Sequence, residues 1–401
     1  MLKRRPPPTK NSFRAASLGV LLRTWVVTEL VEPSERAVTR TVKTQRLKCS
    51  DRATHVAKEL IVSGEVVAVP TETVYGLAAD ATNEAAVAKI YAAKGRPSFN
   101  PLIVHVGRHS NSCAKLLSQR LLDARTLSDA ATCVSDRLMK AFWPGPLTLV
   151  LPRGEALPAV VAGGLATIGF RMPRHAAFLD LIEASQKPLA APSANRSNRI
   201  SPTTADHVIE ELGGLIPLVL DGGSAPVGVE STIVAVNHDG TLTLLRPGGL
   251  PVEQITTVAR AHFTELQIPL TDKPAAPGML KLHYAPSKPL ILAGAGLTSE
   301  LAYKIGRLSG ISRIGIMSFG ALPITLDGLG LDKDLFSAGK IIQFPADDQL
   351  VASGLFNALR ELDHSDVHVI VAELPSQRAG GLWPAICDRL SRGGSAHTGE
   401  F

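Results

Sequence analysis

A proline-rich stretch, TELQIPLTDKPAAPGMLKLHYAPSK at residues 264–288, divides the chain into two regions of regular pattern. Proline fixes φ and lacks an amide donor, so such a run reads as a connector without helix or strand. Before it, from Thr54, short apolar runs alternate with stretches of helical spacing. Strands are predicted at Val66–Val69, Pro101–Val106, Leu147–Leu151, Ala166–Arg171, Leu189–Ala191, Leu218–Leu220, Thr232–Val236 and Thr243–Arg246. Helices are predicted at residues 54–63, at Glu84–Ala93 with Asn83 as N-cap, and at Ala176–Ala184 and Thr204–Leu212. After the connector, strands at Pro289–Ala293, Arg313–Met317, Lys340–Phe344 and Val367–Ala372 alternate with helices at Ser299–Leu308, Asp347–Leu362 and Leu382–Ser391. The fold class is therefore α/β, a large twisted mixed sheet followed by a small parallel-sheet domain. We divide the chain into a basic extension (1–48), a first domain (49–263), the connector (264–288) and a second domain (289–401).

The basic character of the chain is local. Eleven Lys/Arg against three Glu give residues 1–48 a net +8, so the rest carries −2 of the formal +6. A nearly neutral body gives no bulk argument for a nucleic-acid surface. The extension reads either as a mitochondrial transit peptide or as a plain basic tail, so the expected location is the cytoplasm, with the mitochondrion as the alternative. Cys49, Cys113, Cys133 and Cys387 lie far apart with no C-x-x-C pair, which fits a reducing compartment and neither a disulfide framework nor a zinc site. No run of about 18 apolar residues would span a membrane.

The common phosphate and metal signatures are missing: no G-x-x-x-x-G-K-[ST], no complete G-x-G-x-x-G and no H-E-x-x-H. His364 and His368 straddle a helix end and a strand start, where capping or solvent roles are expected. Cations and hydroxyls instead gather at the ends of apolar strands. Thr71, Thr73 and Tyr75 follow Val69, and Lys94 and Arg96 end a helix. Arg171, then Ala191-Pro192-Ser193-Ala194-Asn195, then Arg246, each leave a strand. Singly, each is an ordinary helix cap or turn; together they describe an anion site for a polyphosphate or a carboxylate. No Ser-His-Asp order and no cluster of carboxylates stands out, so the chemistry expected is positioning and charge stabilisation.

At these residues the sequence resembles the threonylcarbamoyl-AMP synthase family, built on a YrdC-like domain. The motifs are PTETVYGL (Pro70–Leu77), AKGRPSFNPLIVHV (Ala93–Val106), WPGPLT (Trp143–Thr148), RMP (Arg171–Pro173), APSAN (Ala191–Asn195), GVEST (Gly228–Thr232) and LRPG (Leu245–Gly248). PGMLKLHYAP (Pro277–Pro286) followed by a Rossmann-like parallel-sheet domain resembles the longer, two-domain type. The resemblance implies that L-threonine, bicarbonate and ATP give threonylcarbamoyl-AMP and pyrophosphate. The product is passed to threonylcarbamoyl transferase machinery for tRNAs reading ANN codons, with tRNA itself a candidate contact. It implies Thr73, His105, Thr167, Arg171, Ala191 and Ser231 around threonine. It implies Lys94, Arg96, Asn100, Ser193, Asn195, Ser201, Arg246 and Tyr284 around ATP, with Lys94 and Arg96 carrying the catalysis and Tyr284 in a lid. Mg²⁺ is expected with the triphosphate, held mainly by phosphates and without a protein ligand set. Two other readings share the domain type: an RNA-gripping module without chemistry, and a carbamoyl transferase that would carry zinc fingers. One departure is Asp388 in AICDRLSR, where the family more often has Asn; it is expected to affect a surface of the second domain.

Overall fold

The computed structural model describes residues 42–265, 274, 276–280, 283–293, 305, 310–320, 332, 336–375 and 378–394. The helix expected over 299–308 lies outside them apart from Ile305, as does the 1–48 extension apart from residues 42–48. Those last residues are not a tail. Gln45–Lys48 form strand β1, parallel to β8 (Leu218–Asp221), and Thr44 Oγ1 donates to the Ile216 carbonyl at 2.6 Å. The ordered domain therefore reaches into the stretch assigned to the extension.

The remaining strands of the first sheet are β2 (Val67–Val69), β3 (Gly76–Asp80), β4 (Ile103–His105), β5 (Leu147–Pro152), β6 (Thr167–Arg171), β7 (Leu189–Ala190), β9 (Thr232–Val236), β10 (Leu242–Arg246) and β11 (Phe263–Glu265). In space they run β1-β8-β2-β3-β7-β4-β6-β5-β9-β10-β11, a mixed sheet as expected. Helices α1 (Asp51–Val62), α2 (Glu84–Lys94), α3 (Cys113–Ser118), α4 (Asp129–Phe142), α5 (Ala176–Ser185), α6 (Ala205–Leu212) and α7 (Val252–Ala259) pack around it. Local chemistry sets their ends. Asn83 Oδ1 accepts the Ala86 amide at 3.2 Å to start α2, and Gly95 at φ 60° stops it in the left-handed region. That stop lifts Arg96 off the helix and turns it towards the sheet.

The second sheet is β12-β15-β13-β14, from β12 (Leu290–Ala293), β13 (Arg313–Phe319), β14 (Ser337–Phe344) and β15 (Val369–Glu373), and every pairing in it is parallel. Its helices α8 (Asp348–His364) and α9 (Trp383–Gly394) face the first domain. Phe356, Leu359, Ile386 and Leu390 share one apolar cluster with Val74, Ile200, Val229 and Tyr284 from the first domain and connector. The Arg360 guanidinium crosses the same boundary to the Ile200 carbonyl at 2.5 Å and to Glu211 at 3.1 Å. Burial of large apolar side chains from both sides makes this a fixed interface and not a tethered pair. Among the described residues no helix is long and apolar enough to cross a membrane.

Candidate active site between the central sheet and the connector

A cavity of about 40 Å³ lies where the connector crosses the first sheet. Ile103 and His105, two apart on β4, both line it, so it sits over a face of the sheet. Arg171 is opposite His105 in the β4–β6 register. The turn from Thr71 to Gly76, the Ala191–Ser193 segment after β7, Glu230 and Ser231 before β9, and Arg246 at the end of β10 complete the floor and walls. Pro277, Gly278, His283 and Tyr284 form the roof, while Ala276 and Met279 pack on Ile103, Val150, Ile233 and Leu245 of the same face. Strand ends were the expected location. Antiparallel pairing brings starts and ends together, and an uncovered face supplies the rest.

One wall sets a buried arginine among hydroxyls and a carboxylate. Arg171 Nη2 donates to Thr73 Oγ1 at 2.9 Å and pairs with Glu72 Oε1 at 2.8 Å, both side chains being nearly fully buried. Thr71 Oγ1 meets Thr73 Oγ1 at 2.8 Å and accepts the amides of Thr73 and Val74, which fixes the turn. His105 is held neutral, well below the ordinary histidine range, by burial first and by the Arg171 charge second. Its Nδ1 is buried with no partner among the described residues.

The other wall is cationic. Lys94 Nζ donates to the carbonyls of Ser193 and Asn195. Arg96 donates from Nη2 to Asn100 Oδ1 at 2.6 Å and to the Pro101 carbonyl at 2.8 Å. Arg246 holds the Ser231 carbonyl through Nη2 at 2.9 Å and the Pro277 carbonyl of the roof through Nη1 at 3.1 Å. Burial, then the neighbouring Arg96 charge, pushes the Lys94 ammonium well below the ordinary lysine value; burial likewise brings Arg96 down to about 10. Such a concentration of buried cations is costly unless an anion joins them. Asn100 Nδ2, Asn195 Oδ1, His283 Nδ1 and the Tyr284 hydroxyl are also buried without partners among the described residues. Unsatisfied polar atoms grouped in this way point to a polar ligand.

Of the residues singled out from sequence, Arg96, Thr73, His105, Arg171, Ala191, Ser193, Ser231, Arg246 and Tyr284 line the cavity. Lys94, Asn100, Asn195 and Ser201 stand one layer behind, with Ser201 Oγ donating to Glu230 Oε1 at 2.5 Å. Thr167 is misplaced by the sequence reading. It begins β6 and pairs with Pro152, four residues or ~13 Å of strand from Arg171, and it does not line the cavity. Thr71 and Tyr75, singled out among the hydroxyls at strand ends but given no substrate, line the cavity too, as do Glu230 and His283, which were not selected although each belongs to a quoted motif. Glu230 is the most telling. Burial alone would raise its carboxyl, but Arg389 and Arg246 hold it below the usual carboxylate value. His364 and His368 are separately engaged, with Glu210 at 2.7 Å and the Ser312 amide at 3.2 Å. Asp388 is not on a surface, its side chain being only 9% exposed between Arg389 and Arg392.

Comparison with known proteins gives a consistent picture. A family model described as "Telomere recombination" matches residues 59–248, and one described as "Threonylcarbamoyl-AMP synthase, C-terminal domain" matches residues 250–395. The threonylcarbamoyl-AMP synthase of Pyrococcus abyssi is 39% identical over 84% of this chain and 92% of its own length. That of Bacillus subtilis is 40% identical over 87% of this chain and 95% of its own. The crystal structure of P. abyssi Sua5 complexed with L-threonine superposes with a TM-score of 0.72 at 37% identity, covering 89% of this chain and 98% of that one.

Proposed function

The chain belongs to the threonylcarbamoyl-AMP synthase family, and from that premise we propose that this cavity joins L-threonine, bicarbonate and ATP into threonylcarbamoyl-AMP, releasing pyrophosphate. The observation that carries the reading is the pairing of a wall at Thr73, His105 and Arg171 with a cationic wall at Arg96 and Arg246, backed by Lys94 one layer behind Ser193. The amine nitrogen of threonine attacks the carbon of bicarbonate and water leaves, giving a carbamate. A carbamate oxygen then attacks the α-phosphorus of ATP; the bond from that phosphorus to the bridging oxygen breaks, and pyrophosphate leaves.

In this reading the Arg171 fork takes the threonine carboxylate, Thr73 and Ser231 take its polar groups, and His105, kept neutral, closes the pocket. Lys94, Arg96 and Arg246 neutralise the charge that grows on the leaving pyrophosphate in a dry site. The orphaned Tyr284 hydroxyl gains a partner when ATP enters, with Asn100 and Asn195 supporting the wall from behind. Mg²⁺ arrives with the triphosphate. Glu230, the acid in the cavity wall nearest the cations, is already engaged by Ser201 and Arg389, so phosphate oxygens and water are the natural ligands.

A cavity of about 40 Å³ has room for a few water molecules and not for a nucleotide. The roof residues Pro277, Gly278, His283 and Tyr284 therefore act as a lid that lifts to admit ATP and closes to keep water from the labile carbamate and adenylate. Gly278 suits the tip of such a lid. At φ +81°, an added Cβ would stand 2.7 Å from the Tyr284 hydroxyl, so the closed form fits glycine alone. The product passes to transferase proteins that modify tRNA, and direct tRNA contact belongs to the same proposal.

The purified protein is expected to release pyrophosphate from ATP only when threonine and bicarbonate are both supplied. Release that persists undiminished without threonine would overturn the proposal.

A further inference from the structure

We propose that Glu72, standing behind Arg171, is a positioning residue that makes the threonine side of the cavity select zwitterions over simple anions; the inference rests on reading Arg171 as the partner of the threonine carboxylate. Glu72 is 4% exposed and is not among the described residues that line the cavity. Three contacts hold it there. Its backbone carbonyl accepts the Val227 amide at 2.9 Å, its Oε2 accepts the Arg174 amide at 3.0 Å, and its Oε1 pairs with Arg171 Nη2 at 2.8 Å. Arg171 is fixed in turn by the Gly145 carbonyl, which accepts its Nε at 3.3 Å, and by Thr73 Oγ1. Glu72 thus helps to orient the guanidinium and sets a negative charge against it.

The other cations at the cavity are arranged differently. Lys94 donates to two carbonyls, Arg96 to Asn100 and the Pro101 carbonyl, and Arg246 to the Ser231 and Pro277 carbonyls. None of the three is ion-paired with a carboxylate among the described residues, since Glu230 is taken up by Arg389. That wall keeps its positive charge and suits a polyanion. At Arg171 the two charges of the pair offset each other, which leaves a weaker pull on a lone anion. A ligand bearing both signs fares better, because the Glu72 charge attracts the ammonium that arrives with the carboxylate, in a buried setting that screens little. Glu72 Oε1 makes no hydrogen bond among the described residues beyond its ion pair, so no further donor offsets the charge at that atom. L-threonine is a zwitterion and bicarbonate is not. Glu72 thereby keeps bicarbonate off the threonine subsite and leaves it to the cationic wall.

Competition binding against L-threonine, on the full-length protein without ATP, tests this with 2,3-dihydroxybutanoate of matching stereochemistry, in which a hydroxyl replaces the amine. The wild-type protein is expected to bind this anion at least about tenfold more weakly than threonine. Glu72→Gln keeps the shape and removes the charge, so the anion should bind about tenfold or more tighter than it does to the wild type. Threonine, which loses attraction at one end and gains it at the other, should change little. A purely structural role for Glu72 gives the opposite result, since a disordered Arg171 weakens both ligands. Glu72→Asp, which keeps the charge, should keep the wild-type preference. Should Glu72→Gln fail to fold, the wild-type protein decides: the hydroxy acid binding within about threefold of threonine overturns the inference. Intact threonine binding with no gain for the hydroxy acid in Glu72→Gln also overturns it, and leaves the proposed reaction standing. Absence of threonine binding to the wild-type protein removes both.

Discussion

Replacing Lys94 with alanine is expected to lower kcat by about 100- to 1000-fold while leaving the secondary structure intact. Lys94 ends α2, is 3% exposed, and its ammonium is held against the Ser193 and Asn195 carbonyls. Those contacts aim it at the segment that walls the phosphate side of the cavity. Because burial and Arg96 depress its pKa, the empty site holds its proton weakly. A polyphosphate beside it would raise that pKa again, so at a pH between the free and bound values ATP binding should take protons up, and it should weaken as pH rises. Calorimetry in two buffers of different ionisation enthalpy reads the uptake, and it should vanish in Lys94→Ala. Near-wild-type turnover, or uptake that survives the substitution, would contradict the assignment.

Arg171→Ala carries the second large effect, on two quantities at once. Threonine affinity should fall about 100-fold or more, as loss of a buried fork to a carboxylate implies. Stability should also fall, by about 3–5 kcal/mol, because Glu72 is 4% exposed and would be left as an uncompensated buried charge. Threonine titration and urea unfolding read the two effects separately. Threonine binding kept within about threefold of wild type would move the carboxylate site elsewhere.

Much of this was legible in sequence because the relevant physics is local. Asn83 and Thr204 mark helix starts through side-chain oxygens that accept backbone amides, Gly95 marks an end through its left-handed backbone, and the β-branched runs at Thr232–Val236 and Val369–Glu373 form strands as their composition suggests. Strand β3 was passed over because GLAAD has poor β-propensity; it is a strand only because neighbours bury all five of its residues. Likewise β1 is defined by its partner β8, which lies some 170 residues away in sequence. The cavity residues were readable as types, since arginines and hydroxyls after strands announce an anion site, but their layering was not. Nothing in the sequence tells that Lys94 and Asn195 stand behind Ser193, whereas the strand predicted over Ala166–Arg171 already set Thr167 a strand's length from Arg171. The docking of α9 was the least legible part. Asp388 looked like a surface detail, and only the docking of α9 onto the connector turns it into the link between two buried arginines.

The account stands most directly on the identity of the product. With ¹³C-bicarbonate, threonine and ATP, mass spectrometry should find threonylcarbamoyl-AMP carrying one heavy carbon in its carbamoyl group, formed together with pyrophosphate. Pyrophosphate and AMP appearing with no labelled adenylate, in the presence of all three substrates, would contradict it.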